Sequence, residues 1–192
     1  MLAYKGFKSD LTCTFGRGTF QYQTGQTIKS EGSKAQHTGL HCAENPVECL
    51  CWYPLGSGNR YFLVEASGSI DELGGTDTQL ACTEMTLLKE LSLKEFAGHA
   101  MIYMVKHPLR EWKCDRRMLQ IAEDEAEADG AGHIAIARGL HPKVRGKHGA
   151  VLGLIRDNGG LIEDAKLFTV EGEIKPDTWY TLKDRQPVEV EA

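Results

Sequence analysis

The sequence predicts an α+β fold with a mainly antiparallel N-terminal sheet, helices at about 46–53, 92–106 and 109–128, and a small all-β tail. Apolar residues alternate with period two in the N-terminal half, and this pattern changes to helical spacing at Ser92. The pattern changes again after Gly130, where short alternating segments lie between glycines. We therefore expect an α+β main domain at 1–129 and a small β-rich C-terminal module at 130–192.

The N-terminal half contains several strand signals. Residues 2–8 have the composition of a first strand, and the glycines at 16–18 mark a turn before the next alternating residues. Residues 60–66 form the strongest strand candidate, and 81–88 form another. Alternation along 60–66 places Glu65 on the same face as Tyr61 and Leu63, where we expect an edge or rim carboxylate near the end of the strand.

A short helix is predicted at 46–53 from the chemistry of its first turn. Asn45 can accept a hydrogen bond from the free amide of Glu48, and Pro46 occupies a first-turn position that needs no amide donor. The Glu48 carboxylate favours the positive end of the helix. Pro54 and the glycines that follow it end the segment.

The two longer helices are predicted from caps and spacing. Ser92 and Glu95 form a capping box, and Pro108 closes the helix that begins there. The helix at 109–128 is predicted from the spacing of its apolar residues, which are Leu109, Trp112, Met118, Leu119 and Ile121.

An acidic run follows those apolar residues and consists of Glu123, Asp124, Glu125, Glu127 and Asp129. Acidic side chains near the C-terminus of a helix oppose the helix dipole, so a solvated, frayed helix end is one interpretation. The other is an acidic surface that binds a basic partner, and these five residues are the candidate binding site.

The tail contains two related segments, 132–139 and 146–155, which predict stacked rungs or a tight meander. Such short strands cannot bury both faces alone. We expect one apolar face to pack on the main domain or across a symmetric contact in a homo-oligomer. That face would contain Ile134, Ile136, Val151, Leu152, Leu154 and Ile155.

The overall charge and hydropathy restrict the function classes. A net charge of -5 gives no general electrostatic reason to bind nucleic acid. A second possible contact surface is an exposed basic set in the tail, which lacks the interleaved aromatic residues of nucleic-acid sites and comprises Arg138, Lys143, Arg145 and Lys147. No apolar run approaches the ~20 residues of a membrane helix, and residues 1–10 do not resemble a secretory signal. We expect a cytoplasmic protein.

Six cysteines are present without a Cys-x-x-Cys pair. Because residues two apart on a helix point to different faces, Cys49 and Cys51 are poorly placed to share a metal. We expect buried, reduced thiols and no metal site, with a site built on His41 and Cys42 as the alternative. The sequence also lacks a phosphate loop, a nucleotide-binding glycine fingerprint and a recognisable nucleophile motif.

Several N-terminal segments resemble an uncharacterised domain family found in phage and bacterial genomes, over roughly residues 2–107. These segments are Ala3-Tyr4-Lys5-Gly6-Phe7, Phe20-Gln21-Tyr22 with Gly25, Gly39-Leu40-His41-Cys42-Ala43-Glu44-Asn45-Pro46, Tyr53-Pro54, and Arg60-Tyr61-Phe62-Leu63-Val64-Glu65 with Gly68. The ending of this chain is similar to a shortened version of the β-roll-like repeat tail of that family. The resemblance implies no activity, cofactor or catalytic residue.

Two function classes follow. The first is a phage- or mobile-element-associated accessory protein that binds a host or virion protein in the bacterial cytoplasm, for example as a host-defence antagonist. The second is an enzyme that resembles ADP-ribosyltransferases and uses NAD. In that alternative Lys5 or His41 would hold the pyrophosphate, and Glu65 would stabilise the ribosyl cation. We expect binding rather than catalysis.

Overall fold

The computed structural model describes residues 1–13, 19–75 and 77–191, so the predicted turn at 16–18 lies outside the described residues. Strands account for 53% of the chain and helices for 11%. The protein is therefore mostly β, and the predicted α+β class is wrong. The chain forms two compact units, Met1–Ser92 and Leu93–Ala192. Residue 130, where the sequence predicts a boundary, lies within the second unit.

The N-terminal unit contains seven strands and one short 3₁₀ helix among its described residues. The strands are β1 (Leu2–Phe7), β2 (Thr12–Cys13), β3 (Phe20–Gln21), β4 (Thr27–Lys29), β5 (Leu40–Ala43), β6 (Arg60–Glu72) and β7 (Gln79–Leu91), and the 3₁₀ helix is Pro46–Cys51. The strands predicted at 2–8, 60–66 and 81–88 are confirmed as β1, β6 and β7.

Four of these strands form a closed antiparallel sheet in the order β7-β5-β1-β6, because β6 also pairs with β7. Strand β4 adds to β7 beyond the end of β5. Closure places alternate side chains in the interior. The interior residues include Phe7, Phe62 and Val64, and the Phe62 and Phe7 rings meet edge to face at 5.6 Å. The same alternation leaves Glu65 exposed, but it lies within β6 between β1 and β7 and not at the predicted edge or end of the strand.

The predicted helix at 46–53 is a 3₁₀ helix, and its cap differs in one respect from the prediction. The Asn45 side chain accepts its hydrogen bond from the Val47 amide at 3.1 Å, whereas the Glu48 amide bonds to the Asn45 carbonyl. Pro46 occupies the first turn as expected. Backbone hydrogen bonds in a 3₁₀ turn join residues three apart, so the Glu48 amide is taken by the Asn45 carbonyl and the Asn45 side chain bonds to the Val47 amide instead.

The C-terminal unit begins with the helix α1 (Leu93–Lys106), which confirms the helix predicted at 92–106. Seven strands follow it, namely β8 (Cys114–Arg116), β9 (Leu119–Ala128), β10 (Ile134–Gly146), β11 (Val151–Asn158), β12 (Leu161–Thr169), β13 (Trp179–Lys183) and β14 (Gln186–Val190).

The helix predicted at 109–128 is absent, because this segment forms β8 and β9. Met118 has a positive φ of 62° and turns the chain between the two strands. Strand β9 buries Ala126 and Ala128, and it exposes Glu125 and Glu127, which alternate with them. Glutamate and alanine are good helix formers, but this period-two burial against β10 overrides their local preference.

Strands β9, β10 and β11 stack in parallel, with Leu119 opposite Ile134 and Ile134 opposite Val151. This arrangement agrees with the stacked strands expected at 132–155. Helix α1 packs against β11, and a Cβ added to Gly153 would meet the Met101 sulfur at 2.7 Å. The opposite face packs against side chains such as Phe168. Both faces of the stack are thus buried within this unit.

A buried arginine lies at the middle of β10. Arg138 is 1% exposed, and its Nε donates to the Asp157 carboxylate at 2.7 Å. Its Nη2 donates to the Pro108 carbonyl at 2.6 Å, and its guanidinium lies 4.9 Å from the Trp112 ring centroid. Asp157 also accepts a hydrogen bond from the Gly160 amide. This one ion pair therefore joins β10, β11 and the segment after α1.

Replacement of Gly39 should destabilise the N-terminal unit strongly. Gly39 has a φ of +102°, and an added Cβ would meet the Gly32 carbonyl oxygen at 2.7 Å. We expect Gly39→Ala to reduce the free energy of unfolding by about 3 kcal/mol, from backbone strain and steric overlap. Urea unfolding measures this loss. Gly58→Ala is the matched control, since its φ is +71° with open space around it, and should cost only about 1 kcal/mol.

Loss of the Asp157 charge should destabilise the C-terminal unit, because Arg138 would remain buried without a counter-ion. We expect Asp157→Asn to cost about 3–5 kcal/mol in thermal or urea unfolding. The control is Asp177→Asn, which breaks an ion pair with Lys147 whose side chains are 54% and 61% exposed. That change should cost under about 1 kcal/mol. Equal losses in the two variants would contradict the role assigned to the buried pair.

Candidate functional site

The predicted acidic binding surface lies on β9 and the loop that follows it, and three of its carboxylates are ion-paired. Glu123 pairs with Lys113 at 2.6 Å, Glu125 with Lys143 at 3.0 Å, and Glu127 with Arg145 at 2.8 Å. Lys143 and Arg145 belong to the predicted basic set. The two sets that the sequence separates as different surfaces thus neutralise each other across β9 and β10.

Trp179 of β13 extends this charged strip. The Lys143 ammonium lies 5.2 Å from the Trp179 ring centroid, and the Arg145 guanidinium lies 4.7 Å from it. Each cation therefore has a carboxylate on one neighbouring strand and an aromatic face on the other. The strip is explained as a stabilising feature of the sheet.

The N-terminal unit contains a pocket of about 460 Å³, a size typical of small-molecule sites. It lies between β1 and β5, with the 3₁₀ helix and the loop before β5 at its sides. Its lining residues are Tyr4, Lys5, Gly6, Cys13, Gln36, His37, His41, Cys42, Ala43, Glu48, Cys49, Trp52, Tyr53 and Gln79.

The pocket exists because β1 and β5 separate almost as soon as they meet. Their ladder contains the single residue pair Tyr4 and Ala43, and its continuation would place Gly6 opposite His41. Gly6 instead hydrogen-bonds through its backbone to the Cys49 thiol, and its Cα faces Tyr53 so closely that a Cβ would lie 2.7 Å from the ring. The 3₁₀ segment therefore takes the place of β5 beside Gly6.

Lys5 bridges the gap between the separated strands. Its Nζ donates to the His41 carbonyl at 2.5 Å, and the side chain is only 5% exposed. The ammonium lies 5.5 Å and 5.4 Å from the ring centroids of Phe7 and Tyr22. Burial is the largest influence on the pKa of Lys5 and lowers it, whereas Tyr22 and Cys49 raise that pKa only when they are themselves ionised, well above neutral pH.

His41 supplies an unused polar atom at the pocket. Its Nε2 is buried and has no hydrogen-bond partner among the residues that the structure describes. Burial and the neighbouring Lys5 cation lower the pKa of His41, which favours the neutral imidazole at pH 7. A neutral imidazole can either donate or accept at Nε2, depending on its tautomer.

Glu48 is the carboxyl group of the pocket. Both of its oxygens lie 3.2 Å from the Thr78 amide, which donates to them. Burial raises the pKa of Glu48 to about 7, and a hydrogen bond with Asp77 adds to that rise. Near neutral pH this carboxyl is therefore divided between its protonated and ionised forms.

Two of the thiols that line the pocket, Cys42 and Cys49, are poor nucleophiles. Burial raises the pKa of Cys49 to about 12. A hydrogen bond with Cys82, together with burial, raises the pKa of Cys42 as well. A thiol must ionise to attack or to bind a metal well, so these groups serve as apolar lining. All six cysteines are free thiols, and no cluster of metal-ligating side chains is found in the ranges 1–13, 19–75 and 77–191.

The three residues of the ADP-ribosyltransferase alternative do not share this pocket. Lys5 and His41 line it, whereas Glu65 is exposed on β6, opposite Leu2 of β1 and Thr86 of β7. The carboxyl group that lines the pocket together with Lys5 and His41 is that of Glu48. The sequence identifies Glu48 only through its place in a helix turn, and nothing in the sequence indicates that Thr78 would lie against it.

The N-terminal unit is thus a small closed antiparallel sheet with a polar-lined pocket where two strands separate. Residues 1–99, more than half of the 192, match the family described as Domain of unknown function (DUF7666), and the chain belongs to that family. No curated protein and no solved structure matches the chain. Within the described parts of the chain, no helix has the length and apolar character to span a membrane.

The raised pKa of Glu48 predicts a pH dependence of stability. A carboxyl whose folded-state pKa is above its ordinary value of 4.5 stabilises the fold below about pH 4.5, and this contribution is lost as pH rises through about 7. Allowing for solvent screening of this half-buried group, we expect a loss of about 1 kcal/mol between pH 5 and pH 8. Urea unfolding at several pH values measures it. Glu48→Gln should remove this part of the pH dependence, and the control Glu44→Gln should retain it.

Proposed function

We propose that the N-terminal unit binds a small molecule in the pocket between β1 and β5. The observation that carries this proposal is the buried Nε2 of His41, which has no partner among the described residues. A buried polar atom without a partner costs free energy, and this cost is removed when a ligand supplies the missing hydrogen bond.

The chemistry of the pocket favours binding over catalysis. The Cys49 thiol is protonated at neutral pH, since burial raises its pKa to about 12. Burial also raises the pKa of the Tyr53 hydroxyl, which donates to the Cys13 sulfur at 3.0 Å. Neither residue is placed as a nucleophile. The NAD-dependent alternative lacks support from the geometry, because Glu65 does not line the pocket.

The wider role that we propose is that of an accessory protein of phages or mobile elements, acting in the bacterial cytoplasm on a host or virion component. This part rests on the sequence resemblance over residues 2–107. Ligand binding in the N-terminal unit would then control, or be the means of, that interaction.

The proposal predicts that small-molecule fragments bind at this pocket. We would screen a fragment library against the ¹⁵N-labelled chain and expect hits to shift the amide signals of Lys5, Gly6, His41 and Cys49, which line the pocket. Ligand contact changes the environment of these backbone groups directly.

Two variants test whether binding occurs at this position. His37 is an exposed residue of the pocket lining, and His37→Trp should weaken the hits by partly filling the entrance. His141 is exposed in the C-terminal unit, and His141→Trp should leave the hits unchanged. If no fragment shifts the pocket amides at millimolar concentration, the proposed function is wrong.

A further inference from the structure

We infer that the occupant of this pocket is an aromatic organic anion whose acid group binds the Lys5 ammonium. This inference rests on the proposed function and adds the chemical class of the ligand. The acid group can be a carboxylate or a phosphate, since an ammonium binds either as a point charge.

The negative charge of the proposed ligand is inferred from the surroundings of Lys5. The described part of the chain contains two fully or nearly fully buried cations, Lys5 and Arg138. Arg138 has the Asp157 carboxylate at 2.6 Å, whereas the described surroundings of Lys5 offer its ammonium one carbonyl oxygen and two aromatic faces. A buried charge without a counter-ion is costly, and a bound anion would supply the missing charge.

The ammonium also retains hydrogen-bonding capacity. It has three N–H donors, and the His41 carbonyl accepts one of them. The nearby thiols of Cys13, Cys42 and Cys49 also line the pocket. Sulfur is a weak acceptor, so these thiols compete poorly with an acid oxygen for the remaining donors. The ammonium therefore lies among pocket-lining groups with donors to spare.

The rest of the lining indicates an aromatic body for the ligand. Tyr4, Trp52 and Tyr53 line the pocket, and Trp52 is 49% exposed. Aromatic side chains pack favourably against aromatic rings in offset or edge-to-face geometry. The unpartnered Nε2 of His41 can hydrogen-bond to a polar substituent of the ligand or to the second oxygen of its acid group.

The test compares aromatic ligands that differ only in charge. Benzoate, benzamide and benzylamine form one set, and indole-3-acetate with its amide and its amine form a second. We expect each acid to bind the wild-type chain at least about tenfold more tightly than its amide, and the amine to bind least, because of the Lys5 charge. Chemical-shift titration gives the dissociation constants. Phenyl phosphate, compared with benzoate, distinguishes phosphate from carboxylate.

Variants connect this preference to Lys5. Lys5→Met should abolish the preference for the acid, Lys5→Arg should retain it, and Lys8→Met, at an exposed residue just after β1, should leave it unchanged. Because Lys5→Met also removes the donor to the His41 carbonyl and can unfold the unit, a second readout uses the intact residue.

That readout is the pH dependence of binding. As the pH rises from 6 to 8, Glu48 ionises and should weaken binding of the acid severalfold without changing that of the amide, since like charges repel. Glu48→Gln should remove this dependence, which separates the effect of Glu48 from those of Lys5, Asp77, His37 and His41.

The outcomes distinguish the two proposals. If an amide or amine binds as tightly as its acid, or if only neutral library fragments bind, the anion inference is wrong and the small-molecule site stands. If no library fragment and no member of the charge series binds at the pocket, both are wrong.

Discussion

The N-terminal unit depends on the hydrogen bond from the Lys5 ammonium to the His41 carbonyl. Strands β1 and β5 must both contribute to the closed sheet, yet their ladder contains only one residue pair. The backbone groups beyond that pair need other partners, because unpaired backbone groups are costly when buried. The Lys5 ammonium is the partner of the His41 carbonyl, and the Cys49 thiol is the partner of the Gly6 backbone. The Lys5 and Cys49 side chains thus complete the hydrogen bonding where β1 and β5 separate. The pocket lies in the same place.

Sequence patterns predict the elements whose local preference agrees with their packing. Strands β1 and β6 and helix α1 follow from alternation and from the capping box, and these elements bury the faces that the patterns indicate. The segment at 109–128 differs because its helix-forming residues are held in β9 by pairing with β10, which lies later in the chain. The sequence does contain a signal for this strand pairing, because the acidic Glu125 and Glu127 lie two residues apart, as do the basic Lys143 and Arg145.

The candidate site is only partly predictable for a related reason. Lys5 and His41 belong to segments that the family resemblance already emphasises, and both line the pocket. Glu48 joins them because Thr78, at the start of β7, holds its carboxylate through a backbone amide. That contact spans 30 residues and requires closure of the sheet, so no local pattern reveals it. Glu65 is the opposite case. Its position in the sequence suits the carboxylate of the ADP-ribosyltransferase alternative, but the fold places it on the outer surface of the sheet.

The two fully or nearly fully buried cations in the described part of the chain, Lys5 and Arg138, differ in how their charge is compensated. In the C-terminal unit the buried Arg138 pairs with Asp157, and the partly buried Lys143 and Arg145 pair with carboxylates on β9. Such pairing neutralises each charge within the unit. In the N-terminal unit Lys5 is equally buried but has no carboxylate among its described partners, and it lies beside a cavity. This contrast supports our inference that the Lys5 ammonium binds an anion from outside the chain.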